Sequence, residues 1–137
     1  MFFFRPGGLA ALLLTCALLT PLQEARAFEL TGAWATDAEL CGRVFTRKDD
    51  QLIFTEMSDL YGSGFVVNAN RIVAKTALCT IESTKQEGES IELSAACSTS
   101  IMRQNLKFSL KVVDDNTISR TIDDVPGMTL KYFRCEL

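Results

Sequence analysis

The chain has no histidine at all, and this absence excludes more function than any residue present assigns. Histidine is the commonest general base near neutral pH. Without it, Ser-His-Asp and Cys-His arrangements cannot be built. No Cys-x-x-Cys occurs among the five cysteines, so zinc-finger spacing is missing too. No Asp-x-Asp-x-Asp-Gly loop is present for calcium. Basic stripes are lacking, which removes the electrostatic footprint of a nucleic-acid binder. No apolar run approaches the ~20 residues that a membrane-spanning helix needs. No metal or other cofactor is expected, and the protein reads as a non-enzyme.

The longest apolar run, Leu9–Leu19, is eleven residues and sits at the start. Arg5 precedes it, Pro21 breaks it, and Ala25-Arg26-Ala27 follows with small residues around one long one. This is the anatomy of a secretory signal, with cleavage expected after Ala27. A lipoprotein reading would use Cys16, but Thr15 stands where a smaller residue is expected. Residues 1–27 are therefore read as a cleaved signal peptide and residues 28–137 as one domain, exported to the periplasm or beyond. Removing the leader takes away Arg5, Arg26, Glu24 and Cys16. It leaves 110 residues, 12 basic and 16 acidic side chains, a net charge of −4 and four cysteines. An even number of cysteines in a small exported chain points to two disulfides.

Alternation dominates the 110 residues. In "NLKFSLKVV" Leu106, Phe108, Leu110 and Val112 share one face. In "SIELSAAC" Ile91, Leu93, Ala95 and Cys97 do so. Period two over such lengths makes half-buried strands. Further strands are expected near 52–55, 64–67, 71–75, 79–83, 117–122 and 128–135. Turn clusters separate them at Lys48-Asp49-Asp50, Asn68-Ala69-Asn70, Glu87-Gly88-Glu89, Asp114-Asp115-Asn116 and Val125-Pro126-Gly127. The cadence predicts an all-β fold: a small antiparallel barrel of about eight short strands. One short helix is expected over 37–43, capped by Thr36 with Glu39 three residues on.

A hairpin reversing at Gly88 would set residue 81 opposite 95 and Cys79 opposite Cys97, near disulfide range. That pairing leaves Cys41 with Cys135. A register slip of one or two residues would instead give Cys41–Cys79 with Cys97–Cys135, and both connectivities remain open at this point. The short strands favour a filled interior over a cavity. Trp34, the sole tryptophan, reads as a plug at one end. The three Asp-Asp pairs (Asp49-Asp50, Asp114-Asp115 and Asp123-Asp124) flank turns, where aspartate has a structural use.

The stretch "SDLYGSGF" lacks clear alternation and carries two glycines. It is the candidate partner-binding segment, through Tyr61, Ser63, Gly64 and Phe65, because loops on a rigid scaffold carry binding. Gly32-Ala33-Trp34 resembles the Gly-x-Trp of lipocalins and related calycin barrels. Small exported barrel inhibitors, including the metalloprotease inhibitors of bacterial periplasm, open in a similar way, usually with a single disulfide. The wider pattern adds a cysteine soon after, two central cysteines and a terminal Phe133-Arg134-Cys135. It resembles small periplasmic proteins of alphaproteobacteria, some of which inhibit lysozyme-type peptidoglycan hydrolases. That resemblance implies a protein partner, a lysozyme or muramidase of basic charge, met by a loop in which Tyr61, Ser63 and Phe65 anchor. Ser63-Gly64 matches the Ser-Gly of lysozyme-inhibitor loops, whereas Val66 and Val67 replace the polar and aromatic residues expected next. The alternatives are a lipocalin-like carrier of a small apolar ligand, and a protease inhibitor acting through Phe28-Glu29-Leu30.

Overall fold

A computed structural model describes residues 3, 7, 21, 26–122 and 125–137. Cys16, Asp123, Asp124 and nearly all of the expected signal peptide lie outside the described residues. Among the described residues ten strands form: β1 Gly32–Ala35, β2 Phe45–Lys48, β3 Gln51–Phe54, β4 Gly64–Asn68, β5 Arg71–Val73, β6 Leu78–Glu87, β7 Ser90–Ser98, β8 Arg103–Asp114, β9 Thr117–Thr121 and β10 Thr129–Cys135. Eight of them close an antiparallel barrel in the order β1-β10-β9-β8-β7-β6-β5-β4. This is the barrel that the cadence of turns predicts. The other two, β2 and β3, pair as a separate hairpin.

That hairpin accounts for a short stretch in which side chains of both parities are buried. Ala33, Trp34 and Ala35 are each 0% exposed. Trp34 points into the barrel among Val67, Ile91, Ile118 and Tyr132. Ala33 and Ala35 point outward, where α1 (Cys41–Val44) and the hairpin cover them with Val44, Phe45, Leu52 and Phe54. The molecule therefore has two cores, one inside the barrel and one on its outer wall. β2 has a single buried residue, Phe45, and three exposed polar ones. It carries no alternation to announce it. Its two-residue turn places Asp49 and Asp50 at φ 51° and 61°, a conformation that short polar side chains tolerate.

Gly64 begins β4 opposite Ala35. A β-carbon there would run into the Trp34 carbonyl oxygen and come within 2.9 Å of the Phe45 ring. Only glycine lets β1 and β4 close together beneath the hairpin. The 3-10 turn Ala38–Leu40 leads into α1, and its cap is Asp37, whose Oδ1 accepts from the Glu39 amide at 2.9 Å. Thr36 does not cap it. Its amide donates to the Ser63 carbonyl at 3.0 Å, and its hydroxyl accepts from the Ser63 amide at 3.2 Å.

Both disulfides follow the pairing Cys41–Cys135 and Cys79–Cys97. The reversal at Gly88 differs in detail from the expected one. Glu87 pairs with Ser90, so Gly88-Glu89 forms a two-residue turn centred half a residue further on. A continuous ladder from that turn would set Thr80 opposite Cys97. A bulge at Glu82, between the Ile81 and Ser83 pairs, takes up one residue and restores Cys79 to Cys97. Bulges also bend and twist a strand, as closure of a barrel requires. The disulfides fit maturation in an oxidising compartment. Among the described residues no helix is long and apolar enough to cross a membrane.

The two bonds close loops of different length, with separations of 94 and 18 residues. Chain entropy assigns about 4.7 kcal/mol to the longer and about 3 kcal/mol to the shorter. Replacing Cys41 and Cys135 together by serine is expected to lower the free energy of unfolding more than replacing Cys79 and Cys97. Urea titration of the two variants measures the difference, and an equal or reversed order contradicts it.

Candidate functional site

Strand direction assigns the loops to two ends. One end carries the 68–70, 88–89 and 114–116 turns and the entry segment 28–31. The other carries the loop 55–63, the turns 74–77 and 99–102, and the β9–β10 connection.

The first end is shut. Phe28 donates its amide to Gln86 on β6 at 2.9 Å, while the carbonyls of Glu29 and Thr31 accept from Arg134 on β10 at 2.7 and 3.0 Å. β6 and β10 stand four strands apart in the ring of eight. Residues 28–31 therefore strap across the full diameter. Arg134 also donates to the Asp115 carbonyl at 3.2 Å, and its guanidinium lies 4.3 Å from the Trp34 ring. The Trp34 indole donates to the Leu30 carbonyl at 2.9 Å. Trp34 is the plug its position implied, and the strap is its cover. The Glu29 carboxylate accepts from the Thr31 hydroxyl and amide with Arg134 near, and these hold its pKa below the ordinary glutamate value. Its hold on the strap is complete at neutral pH and fades as pH falls through that lowered pKa.

Toward the other end the barrel is hollow. A cavity of about 260 Å³ is walled by Phe65, Leu93, Leu106, Phe108 and the Cys79–Cys97 disulfide, with Leu30 among the residues lining it. The interior is filled around Trp34 as expected, but not along its whole length. The reason is strand length: β6, β7 and β8 run 10, 9 and 12 residues, longer than the short strands expected. Apolar side chains also stand exposed among polar ones at this end. Ile101 is 88% exposed, and Met102, Val125 and Met128 are about half exposed on the turns around it. One cation enters this space. Arg120 lies opposite Leu110 and Leu130 in the ladder, on the inward parity of β9, and its guanidinium stacks 4.8 Å from the Phe108 ring. Period two alone announces it: Ile118 and Arg120 share a parity, which puts a charge where apolar residues belong.

The four residues of the expected binding segment do not share one surface. Phe65 points inward, its ring edge-on to Tyr132 with centroids 5.0 Å apart. Tyr61 packs against the outer-wall core beneath Arg43, whose guanidinium lies 5.0 Å from its ring. Ser63 is exposed but tied by its backbone to Thr36. Gly64 serves the closure of β1 on β4. What the loop does expose is Met57 and Leu60, at 60% and 66%. Lys75 holds this loop in place by donating to the Thr55 and Glu56 carbonyls and to the buried Ser58 hydroxyl, at 2.8, 3.1 and 2.9 Å.

Among the described residues no three of His, Cys, Asp and Glu gather as a metal site. Asp114 accepts from the Asn116 amide at 2.8 Å and so serves its turn. No family model matches the chain, and no curated protein or solved structure matches it either.

Arg134 supplies two of the hydrogen bonds that hold the strap. Arg134→Met is expected to cost about 2 kcal/mol, the scale of hydrogen bonds to a charged group. Amide exchange of residues 28–31 should rise while the β6–β7 hairpin stays protected. Hydrogen exchange with urea unfolding tests this, and unchanged protection at 28–31 refutes it.

Proposed function

We propose that the protein is an exported binding barrel, matured by loss of residues 1–27, that takes a small apolar ligand into its open lumen. The single observation that carries this reading is the cavity of about 260 Å³ with predominantly apolar walls. An apolar concavity with a few convergent polar groups is the usual form of a ligand site. An engineered cavity of ~150 Å³ with similar walls admits benzene. By that scale the lumen accommodates roughly ten non-hydrogen atoms. The strap and plug at the opposite end support the reading, since they make the lumen a cup with one entrance. Two disulfides offset the stability that an unfilled interior forgoes. The lumen offers no histidine to act as a general base.

Naphthalene, with ten carbons, is expected to bind and to raise the midpoint of thermal unfolding in proportion to the logarithm of its concentration. Ala77→Trp, at the mouth, should abolish this shift while leaving the unliganded midpoint close to that of the parent. Scanning calorimetry reads both. Failure of naphthalene and of compounds of similar size to shift the midpoint removes the reading.

A second reading rests on a different surface. Met57 and Leu60 stand exposed on a loop that Lys75 and Thr36 fix, beside Tyr61. A fixed apolar projection on an acidic domain suits a basic protein partner. A lysozyme-type peptidoglycan hydrolase in the periplasm is the partner proposed for it. Micromolar protein is then expected to suppress muramidase activity, and Leu60→Asp to relieve the suppression. Undiminished lysis by every muramidase tested ends this second reading.

A further inference from the structure

Arg120 is the group that the lumen does not explain. Among the described residues, its Nε is the buried side-chain nitrogen or oxygen atom without a hydrogen-bond partner. A buried donor left unsatisfied is costly, more so when it belongs to a charged group. The other inward arginine, Arg134, spends its donors on three carbonyls. Arg120 is instead flanked in the ladder by Leu110 and Leu130 and stacked on Phe108. Neither ion pair among the described residues includes it. Its stacking on an aromatic face also holds the guanidinium plane in place, so the fork is presented in a fixed orientation.

We infer that the lumen ligand is a small monocarboxylic acid, its carboxylate on Arg120 and its apolar body against Phe108, Leu106 and the Cys79–Cys97 disulfide. This rests on the lumen being the binding site, as proposed above. The planar fork of an arginine matches a carboxylate with two parallel hydrogen bonds, and it supplies the positive charge that an anion needs when it leaves water. The size of the space sets the rest of the molecule. Roughly ten non-hydrogen atoms correspond to a medium-chain fatty acid or a single-ring aromatic acid with a short tail. A long-chain lipid would leave most of its length outside.

Three probes of equal length separate charge from shape: octanoate, 1-octanol and octylamine, titrated calorimetrically near neutral pH. The parent protein is expected to bind octanoate roughly tenfold or more tightly than 1-octanol, and octylamine least. Arg120→Met should erase the preference for octanoate while 1-octanol still binds, which shows that the lumen persists in the variant. Equal affinity of the parent for octanoate and 1-octanol overturns the role of Arg120 and leaves the apolar lumen standing. Retention of the preference in Arg120→Met overturns it likewise. Binding of none of the three, together with no response to naphthalene, overturns both the acid and the lumen.

Discussion

Strand β1 closes an eight-stranded ring with only four residues, and every other feature of the molecule is arranged around that closure. It pairs with β4 on one side and β10 on the other. A strand this short cannot be held by its ladders alone, so both of its faces are buried. Trp34 fills the interior, and Ala33 and Ala35 are pressed beneath a hairpin that belongs to neither neighbour. The alanines must be small for the hairpin to approach. Gly64 must lack a β-carbon for β4 to approach and for the Phe45 ring to enter. The Cys41–Cys135 bond ties α1, just after β1, to the end of β10. Lost closure would expose two sheet edges, a template for aggregation.

Moving part of the core to the outer wall has a consequence inside. A domain of this size buries a limited apolar surface, and a barrel without the outer hairpin would need its lumen filled to hold together. Here Val44, Phe45, Leu52 and Phe54 supply burial outside. The Arg134 strap seals one end, with Phe28 and the Arg134 guanidinium laid against Trp34. The Cys79–Cys97 bond pins a hairpin whose inner face borders empty space. Each device stabilises the shell from somewhere other than its centre, so the hollow is compatible with a folded chain.

The sequence discloses this architecture unevenly, and the reasons are physical. Residues 90–97 and 105–112 each face the core on one side and solvent on the other, so period two is plain. β2 has one buried residue and reads as loop. β1 is buried on both faces and reads as neither strand nor helix by pattern. The cystine pairing was within reach because the turn and the bulge each displace the register by one residue in opposite senses. A reversal assumed at Gly88 therefore lands on the observed pair although the turn is centred elsewhere. The segment Tyr61–Phe65 shows why a short motif is a poor guide to a surface. Once Gly64 enters a strand, Phe65 faces inward, and Tyr61, still on the loop, is drawn to the outer wall. Cavity and cap have no local signature at all, because both arise from residues far apart in the chain.

The two inward arginines make the strongest contrast in the molecule. Both occupy positions that period two reserves for apolar residues, and both stack on aromatic rings. One is satisfied by carbonyls that the fold delivers to it, and its function is complete in the folded chain. The other holds a buried donor that the described part of the fold leaves free. For stability alone, leucine or methionine at 120 would extend the apolar wall without the desolvation cost of a charge. Binding provides a reason for arginine there, since a cost carried by the empty barrel becomes a gain when an anion arrives. The inward arginine is therefore better read as half of an interaction whose other half comes from solution.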